Sequence, residues 1–296
     1  SGPRLDRRYL AFALLNPPLL AKASALATGA NLPRLSPSAL ESLELPLPPL
    51  NEQRRIADIL DRADAMRAKR REAILLSGGL LAAMFRDTFG DVAVNDREWP
   101  EGVVLGDVAE VVSGVTKGRK LIGAGAREVS YLAVSNVQDM RLNLNVVKTI
   151  EATPVEIERY RLRLGDIVLT EGGDPDKLGR GTLWRGELAE CIHQNHVFRV
   201  RVTDGRIEPV FLNWLLSSER GKRYFFRAAK QTTGIASINM TQLKGFPLLL
   251  PPVALQRKFA DEIASVDSLV RAETSSVAEL DTLFASLQHR AFRGEF

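Results

Sequence analysis

Apolar residues recur with helical spacing in two long stretches of the chain, at residues 51–89 and 253–292. In both stretches they return every three or four positions with charged residues between them, which predicts amphipathic helices. At 1.5 Å per residue each helix would be about 55–60 Å long. Two such stripes bury each other most economically, and the long segment between them favours an antiparallel, coiled-coil-like pair. The positions expected to pair the helices are Ile56, Ala63, Ile74, Phe259, Val266 and Val277.

Between the two helical stretches, short β-branched runs are bounded by glycine or charged residues, a pattern typical of strands. The expected strands are at residues 103–105, 108–112, 129–134, 166–170, 181–184 and 196–202. A helical pattern follows from residue 209 to about 230, and a polar loop at 231–237 leads into residue 240. Residues 95–250 therefore predict one mixed α/β (α+β) domain.

The chain also repeats itself. Leu-Pro-Leu-Pro-Pro-Leu at 45–50, followed by Gln53-Arg54, matches Leu-Leu-Leu-Pro-Pro-Val at 248–253, followed by Gln256-Arg257. The shift of 203 residues holds from about 40 to 89, and a shift one smaller aligns residues 9–12 with 211–214. A period this long indicates a duplicated module of a domain followed by a helix. The expected organisation is the C-terminal remnant of a first domain at 1–48, a helix at 49–91, a complete domain at 95–250 and a second helix at 251–293.

Composition narrows the class of protein. The 296 residues are 45% apolar, and a net charge of +4 with a pI of about 9.3 favours an anionic partner such as nucleic acid. The single cysteine, Cys191, excludes an internal disulfide and suits a reducing compartment. No apolar run reaches the roughly 18 residues that a membrane span needs. The expectation is a cytoplasmic globular protein.

Three segments resemble catalytic or metal motifs without completing them. Residues 15–18, Leu-Asn-Pro-Pro, resemble the motif of adenine amino-methyltransferases, but Leu19 stands where an aromatic residue must stack the flipped base. Residues 174–177, Asp-Pro-Asp-Lys, lie in one glycine-flanked loop instead of on the adjoining strands of a metal-dependent nuclease. His193 and His196 are three apart on an expected strand and so face opposite sides. The sequence predicts no catalytic residue and no metal site in this chain.

Polar, basic loops between the strands carry the remaining candidate chemistry. Arginine and lysine contact phosphates or guanine, whereas asparagine and glutamine can read adenine edges. Because several glycine-flanked loops of this composition recur in one domain, we predict that they form one DNA-binding face. The candidate residues are Thr116, Lys117, Arg119, Lys120, Asn136, Gln138, Lys177, Arg180, Lys230, Gln231, Thr232 and Thr233.

Taken with the duplication, four segments resemble the specificity (S) subunits of type I restriction–modification enzymes. They are Pro-Leu-Pro-Pro-Leu-Asn-Glu-Gln-Arg-Arg-Ile at 46–56, Phe-Arg-Asp-Thr-Phe-Gly-Asp at 85–91 before Trp99-Pro100, Gly-Asp-Ile-Val-Leu at 165–169 and Gln-Asn-His-Val-Phe-Arg-Val at 194–200. The resemblance implies target-recognition domains that each read half of a split double-stranded DNA site. It also implies that the paired helices act as a spacer.

By the same resemblance the chain is not an enzyme and holds no cofactor. S-adenosylmethionine, ATP and Mg²⁺ are expected in the partner methyltransferase (M) and restriction (R) subunits, which would dock on the helices. Since the first domain is incomplete, we expect an N-terminally truncated or split subunit that needs a self-dimer or a companion fragment to supply the missing domain. Two alternatives stay open: an assembly or regulatory protein that uses only the helices, and a standalone DNA nuclease or methyltransferase, which the missing cofactor motifs disfavour.

Overall fold

The computed structural model describes residues 4–29, 33–121, 125–173, 178–232 and 235–295. The chain divides into a first unit, Ser1–Leu80 with Val266–Phe296, and a second unit, Leu81–Ser265. The helices are α1 (Arg7–Leu14), α2 (Pro17–Leu26), α3 (Pro37–Glu41), α4 (Leu50–Phe89), α5 (Leu105–Val108), α6 (Pro154–Tyr160), α7 (Pro209–Ser217), α8 (Glu219–Ala228), α9 (Met240–Lys244) and α10 (Val253–Ala291). The strands are β1 (Ala109–Ser113), β2 (Arg127–Leu132), β3 (Val137–Gln138), β4 (Arg141–Leu142), β5 (Lys148–Ala152), β6 (Ile167–Thr170), β7 (Gly172–Gly173), β8 (Gly181–Leu183), β9 (Cys191–His193), β10 (Val197–Val202), β11 (Lys230–Thr232) and β12 (Ile235–Ser237).

In the first unit, α4 and α10 pack side by side with opposite chain directions. Arg67 Nε lies 2.6 Å from Asp281 Oδ1, and Arg70 Nη1 lies 2.7 Å from Glu273 Oε2, so residue numbers rise along α4 as they fall along α10. The Arg67 guanidinium also lies 4.3 Å from the centre of the Phe284 ring. The expected antiparallel pair of long helices is therefore confirmed.

The short helix α1 packs against one end of this pair. Tyr9, Ile56 and Ala291 are buried together in one apolar cluster, and the Tyr9 and Phe292 ring centres are 5.3 Å apart. Among the described residues no single helix is both long and apolar enough to cross a membrane, although α1 and α2, bent by 65° at their break, meet that length and composition test as a pair.

A buried glutamine fixes the start of each long helix in the same way. Gln53 Nε2 donates to the carbonyls of Pro48 (2.8 Å) and Arg4 (3.0 Å), and its Oε1 accepts from the Asp6 amide (2.8 Å). The corresponding partners of Gln256 in the second unit are the carbonyls of Pro251 (2.7 Å) and Arg206 (3.1 Å) and the amide of Glu208 (2.9 Å). Both copies of the repeat thus use an identical hydrogen-bond pattern between the end of the domain and the helix.

The second unit is a mixed α/β structure, as expected. β1, β10, β6 and β8 form a four-stranded sheet in that order, with antiparallel neighbours throughout. β2 pairs antiparallel with β5 and parallel with β9, and β12 lies between β11 and β7 in a third sheet. The rings of Phe89, Phe211 and Phe259 are buried in its main core, with centres 4.6 Å apart for the first two and 5.2 Å for Phe89 and Phe259.

Two local expectations are wrong. Residues 103–105 do not form a strand: Val104 makes an isolated bridge to Pro247, and α5 begins at Leu105 because the Asp107 carboxylate accepts from the Val104 amide at 3.0 Å. The segment 231–237, expected to be a polar loop, contributes residues to the strands β11 and β12, which pair antiparallel with each other. The polar composition of this segment gave no indication of strands, and β12 pairs with β7 as well as with β11.

Candidate nucleic-acid interface

Backbone hydrogen bonds connect the loops in which we expected DNA-binding residues. Val115, just after β1, donates its amide to the His193 carbonyl (2.8 Å) and accepts from the Asn195 amide (2.9 Å). The Ser113 hydroxyl donates to the Asn195 carbonyl at 2.7 Å. The loop after β1 is therefore held against the turn between β9 and β10.

The same network extends to three further segments. Glu171 donates its amide to the His196 carbonyl (3.0 Å) and accepts from the Ile238 amide (2.8 Å), while the Thr170 amide donates to the Arg180 carbonyl (2.8 Å). We call the connected set the loop face and define it as residues 113–120, 135–138, 171–173, 178–181, 193–196, 230–232 and 235–237. Its members come from distant parts of the sequence but lie together in the second unit.

Glycines allow these segments to approach at backbone distance. A Cβ at Gly114 would lie 2.0 Å from the His193 carbonyl oxygen, and one at Gly172 would lie 2.7 Å from that of Ala236. Such contacts are too short for any side chain, so the glycines that bound the loops in the sequence are needed for packing the segments together.

Four of the expected DNA-binding residues of the loop face are exposed. Thr116, Lys117 and Lys120 follow β1 in sequence, and Lys230 opens β11 opposite Ser237. The Lys117 ammonium lies 5.1 Å from the centre of the Tyr131 ring, which supports the side chain while leaving its charge accessible. Their positions suit phosphate contact, which stays a prediction.

Gln138 and Arg180 contact each other. Arg180 Nη1 donates to Gln138 Oε1 at 2.9 Å, and Gln138 Nε2 donates to the Ser135 carbonyl at 3.0 Å. Both side chains are half-buried. If Gln138 reads a base, it would therefore do so while bonded to Arg180.

Asn136 and Arg119 are engaged inside the domain. Asn136 is buried; it accepts from the Ala133 amide (2.9 Å) and donates to the carbonyls of Asn143 (2.8 Å) and Val146 (2.9 Å). Arg119 donates to both carboxylate oxygens of Glu156, at 2.6 and 2.9 Å, and this pairing lowers the pKa of Glu156 to about 2. The geometry gives these two residues a part in holding loops and does not support the DNA contact that we expected of them.

Four of the candidate residues lie wholly or partly outside the described residues. Lys177 and Thr233 lie outside the described residues, and for Gln231 and Thr232 only the backbone, paired with β12, is described. Their expected contacts with DNA stay predictions.

One histidine–carboxylate contact within the loop face was not predicted from the sequence. His196 Nδ1 lies 2.5 Å from Glu171 Oε2, and Asn195 Nδ2 lies 3.3 Å from His196 Nε2. His193 has a different environment: it is buried, its Nδ1 lies 2.6 Å from the Val197 carbonyl, and burial lowers its pKa to about 4. Within the described ranges no three histidine, cysteine, aspartate or glutamate side chains form a metal-binding group.

The residues expected to pair the long helices differ in burial. Ile56 and Ala63 are buried in the first unit, where Ile74, Val266 and Val277 are half-buried. Phe259 is fully buried in the second unit against Phe85 and Phe89. Ile56 and Phe259 occupy equivalent repeat positions, each next to the aromatic residue of a short helix.

Comparisons with known proteins agree with the architecture. A family model described as type I restriction modification DNA specificity domain matches residues 4–76. The StySPI specificity subunit of Salmonella potsdam is 24% identical over 93% of this chain, and the EcoKI specificity subunit of Escherichia coli (strain K12) is 25% identical over 93%. The chain spans 62% of the length of each of these two curated relatives.

Solved structures resemble the fold. A type I restriction–modification S subunit from M. genitalium matches 98% of this chain and 73% of its own with a TM-score of 0.56 at 16% identity. A structure from a study of complex assembly and conformational transition in the type I R-M system has a TM-score of 0.56 at 19% identity, over 97% of this chain and 71% of its own. These solved structures share the fold of this chain, and the sequence matches agree with its resemblance to the specificity subunits of type I restriction–modification enzymes.

Proposed function

We propose that the chain is a non-catalytic DNA-recognition and scaffold subunit of a type I restriction–modification complex. The observation that carries the proposal is the loop face, where segments from across the second unit are joined by backbone hydrogen bonds and bear the exposed cations Lys117, Lys120 and Lys230. Exposed cations on one surface provide the sequence-independent part of DNA affinity. In this proposal the second unit reads one half of a bipartite site in the cytoplasm, and S-adenosylmethionine, ATP and Mg²⁺ act in partner subunits.

We propose further that methyltransferase subunits, and through them restriction subunits, dock on the long helices. Two pairs of equivalent repeat positions, Met66 with Leu269 and Leu80 with Leu283, are apolar and exposed in both copies. A single exposed leucine is ordinary, but the same exposure at matching positions of a duplicated helix favours two like partner surfaces. The helices would then carry the partners while their length sets the distance between half-sites.

A companion recognition domain is the third part of the proposal. Leu14 is 38% exposed and Leu40 is 51% exposed, whereas their repeat equivalents in the second unit, Leu216 and Leu243, are 2% and 0% exposed. In the second unit these positions face the core beneath the sheet strands. We infer that the first unit receives an equivalent domain body from a companion polypeptide or from a second copy of the chain.

A gel-shift assay on random-sequence duplex DNA, with and without methyltransferase subunit, tests the proposal. We expect weak, salt-sensitive binding by the chain alone and tighter binding with the methyltransferase. Binding of methyltransferase without any binding of DNA would favour the alternative of an assembly or regulatory protein that uses only its helices. Methyl transfer or DNA cleavage by the chain alone would instead assign it to a standalone enzyme.

A further inference from the structure

The loop face has a carboxylate near its centre. Glu171 follows β6 and precedes β7, its backbone is bonded to His196 and Ile238, and its neighbour Thr170 is bonded to Arg180. Through these contacts Glu171 adjoins the β9–β10 turn, the segment that begins β8 and the hairpin of β11 and β12.

A defined hydrogen-bond series orients the Glu171 side chain. An ionised carboxylate can only accept, so His196 Nδ1, 2.5 Å from Glu171 Oε2, carries the proton of that contact. In the neutral ring Nε2 is then the acceptor for the Asn195 amide at 3.3 Å. The Glu171 side chain is 32% exposed and that of His196 is 56% exposed, so both are accessible to a ligand. Glu171 Oε1 accepts no hydrogen bond from the part of the chain that the structure describes.

A carboxylate at this position acts against phosphate binding. Lys117, Lys230 and Arg180 attract the DNA backbone, whereas the charge of Glu171 repels it. The favourable contact for such a group in the major groove is with an exocyclic amino group, which cytosine presents as N4 and adenine as N6. Guanine O6 and thymine O4 are acceptors at the edge of the groove and would face the carboxylate with no hydrogen bond and with electrostatic repulsion.

We propose that Glu171, held by His196 and Asn195, is a specificity-determining residue that selects a base with an exocyclic amino group in the major groove, cytosine or adenine, at one position of the target. This inference rests on the proposed DNA-reading function. His196 and Asn195 are positioning residues, because they act through the orientation of the carboxylate. The selectivity comes as much from rejecting guanine and thymine as from binding the preferred base.

Selection of bound duplexes from a randomised pool tests the proposal, with the full chain assayed alone and together with the methyltransferase subunit. We expect the wild type to prefer cytosine or adenine at one position by about 5- to 150-fold, and the enriched base itself identifies which of the two is read. Glu171→Gln should lose most of that preference at this position alone, since its amide can donate as well as accept. Its affinity for unrelated DNA should stay equal or increase, because a negative charge is lost.

Matched variants separate base selection from a general loss of structure. Glu158→Gln changes an exposed glutamate of the same unit that is paired with Arg163 at 2.6 Å, and it should leave every base preference unchanged. His196→Ala should weaken the same single position as Glu171→Gln, whereas a misfolded loop would weaken all positions together.

The outcomes distinguish failure of the role of Glu171 from failure of the proposed DNA-reading function. If the wild type selects no sequence, the DNA-reading function fails and the role of Glu171 fails with it. If the wild type selects a site and Glu171→Gln, melting at the wild-type temperature, selects the same site equally well, only the role of Glu171 is overturned.

Discussion

At the scale of single residues, buried polar side chains hold the domains to the helices. Gln256 is fully buried and satisfies three backbone groups of the second unit. Gln256→Leu keeps the approximate volume but leaves those groups unpaired, at about 1–3 kcal/mol for each buried group left unsatisfied. We expect a loss of about 3 kcal/mol in the free energy of unfolding, measured by urea denaturation.

Gln53→Leu provides the matched comparison, because Gln53 makes the same three contacts in the first unit. Glu262→Gln, at a half-buried position of α10 whose side chain is 43% exposed, should leave the urea midpoint unchanged. If Gln53→Leu and Gln256→Leu are both as stable as the wild type, these buried hydrogen bonds do not hold the domains to the helices.

The Arg119–Glu156 pair predicts a pH dependence. Hydrogen bonding to Arg119 lowers the folded-state pKa of Glu156 to about 2 from its ordinary value of 4.5. A carboxyl with a lowered pKa stabilises the fold above its unfolded pKa, and this contribution is lost as pH falls from about 4.5 towards about 2. Glu156→Gln should therefore flatten the decline in melting temperature over that window, while the Glu158→Gln control should show the wild-type slope.

At the scale of elements, buried apolar contacts should stabilise the long helices more than surface ion pairs do. Phe259 is fully buried among Phe85 and Phe89, so Phe259→Ala should cost about 3–5 kcal/mol. Asp281 pairs with Arg67 and Arg71 at the surface, so Asp281→Ala should cost less than about 1 kcal/mol. Urea unfolding compares the two, and a larger effect at Asp281 would contradict this ranking.

The lysines that follow β1 should contribute to DNA affinity and to its dependence on salt. Lys117 and Lys120 are exposed on the loop face, and each phosphate contact contributes a salt slope of about 0.9. Lys117→Ala with Lys120→Ala should weaken binding to all sequences and lower the slope of log affinity against log salt by about 2. Lys258→Ala, at an exposed lysine of α10 far along the chain from this loop, serves as the control. An unchanged slope would remove these lysines from the interface.

The sequence predicted the elements with strong periodicity and missed those defined by long-range pairing. The stripes that include Ile56 and Phe259 identified both long helices and their duplication. The segment of β11 and β12 was predicted to be a loop, because β7, which pairs with β12, lies about 60 residues earlier in the chain. In the same way, Arg119 and Asn136 suggested DNA contact by residue type, and only the folded chain brings Glu156 and Val146 within reach of them.

At the scale of the whole molecule, the duplication allows two exposed leucines of the first unit to be compared with their buried equivalents in the second. Leu14 and Leu40 expose surface that their equivalents bury, and burial of apolar surface stabilises by about 25 cal/mol per Å². We expect this surface to bind a companion domain body or a second copy, so the chain should self-associate in sedimentation or bind such a fragment. Leu14→Lys with Leu40→Lys should abolish that association, because the new charges would have to be buried.

Leu80→Lys is the matched variant, since it alters an exposed leucine of α4 that we assign to methyltransferase docking. It should weaken binding of the methyltransferase subunit and leave self-association or fragment binding intact, whereas the Leu14 and Leu40 variant should do the reverse. The two partner surfaces are then separable on one chain. A chain that stays monomeric and binds no recognition-domain fragment with its wild-type leucines would contradict the proposal that the first unit receives a companion domain body.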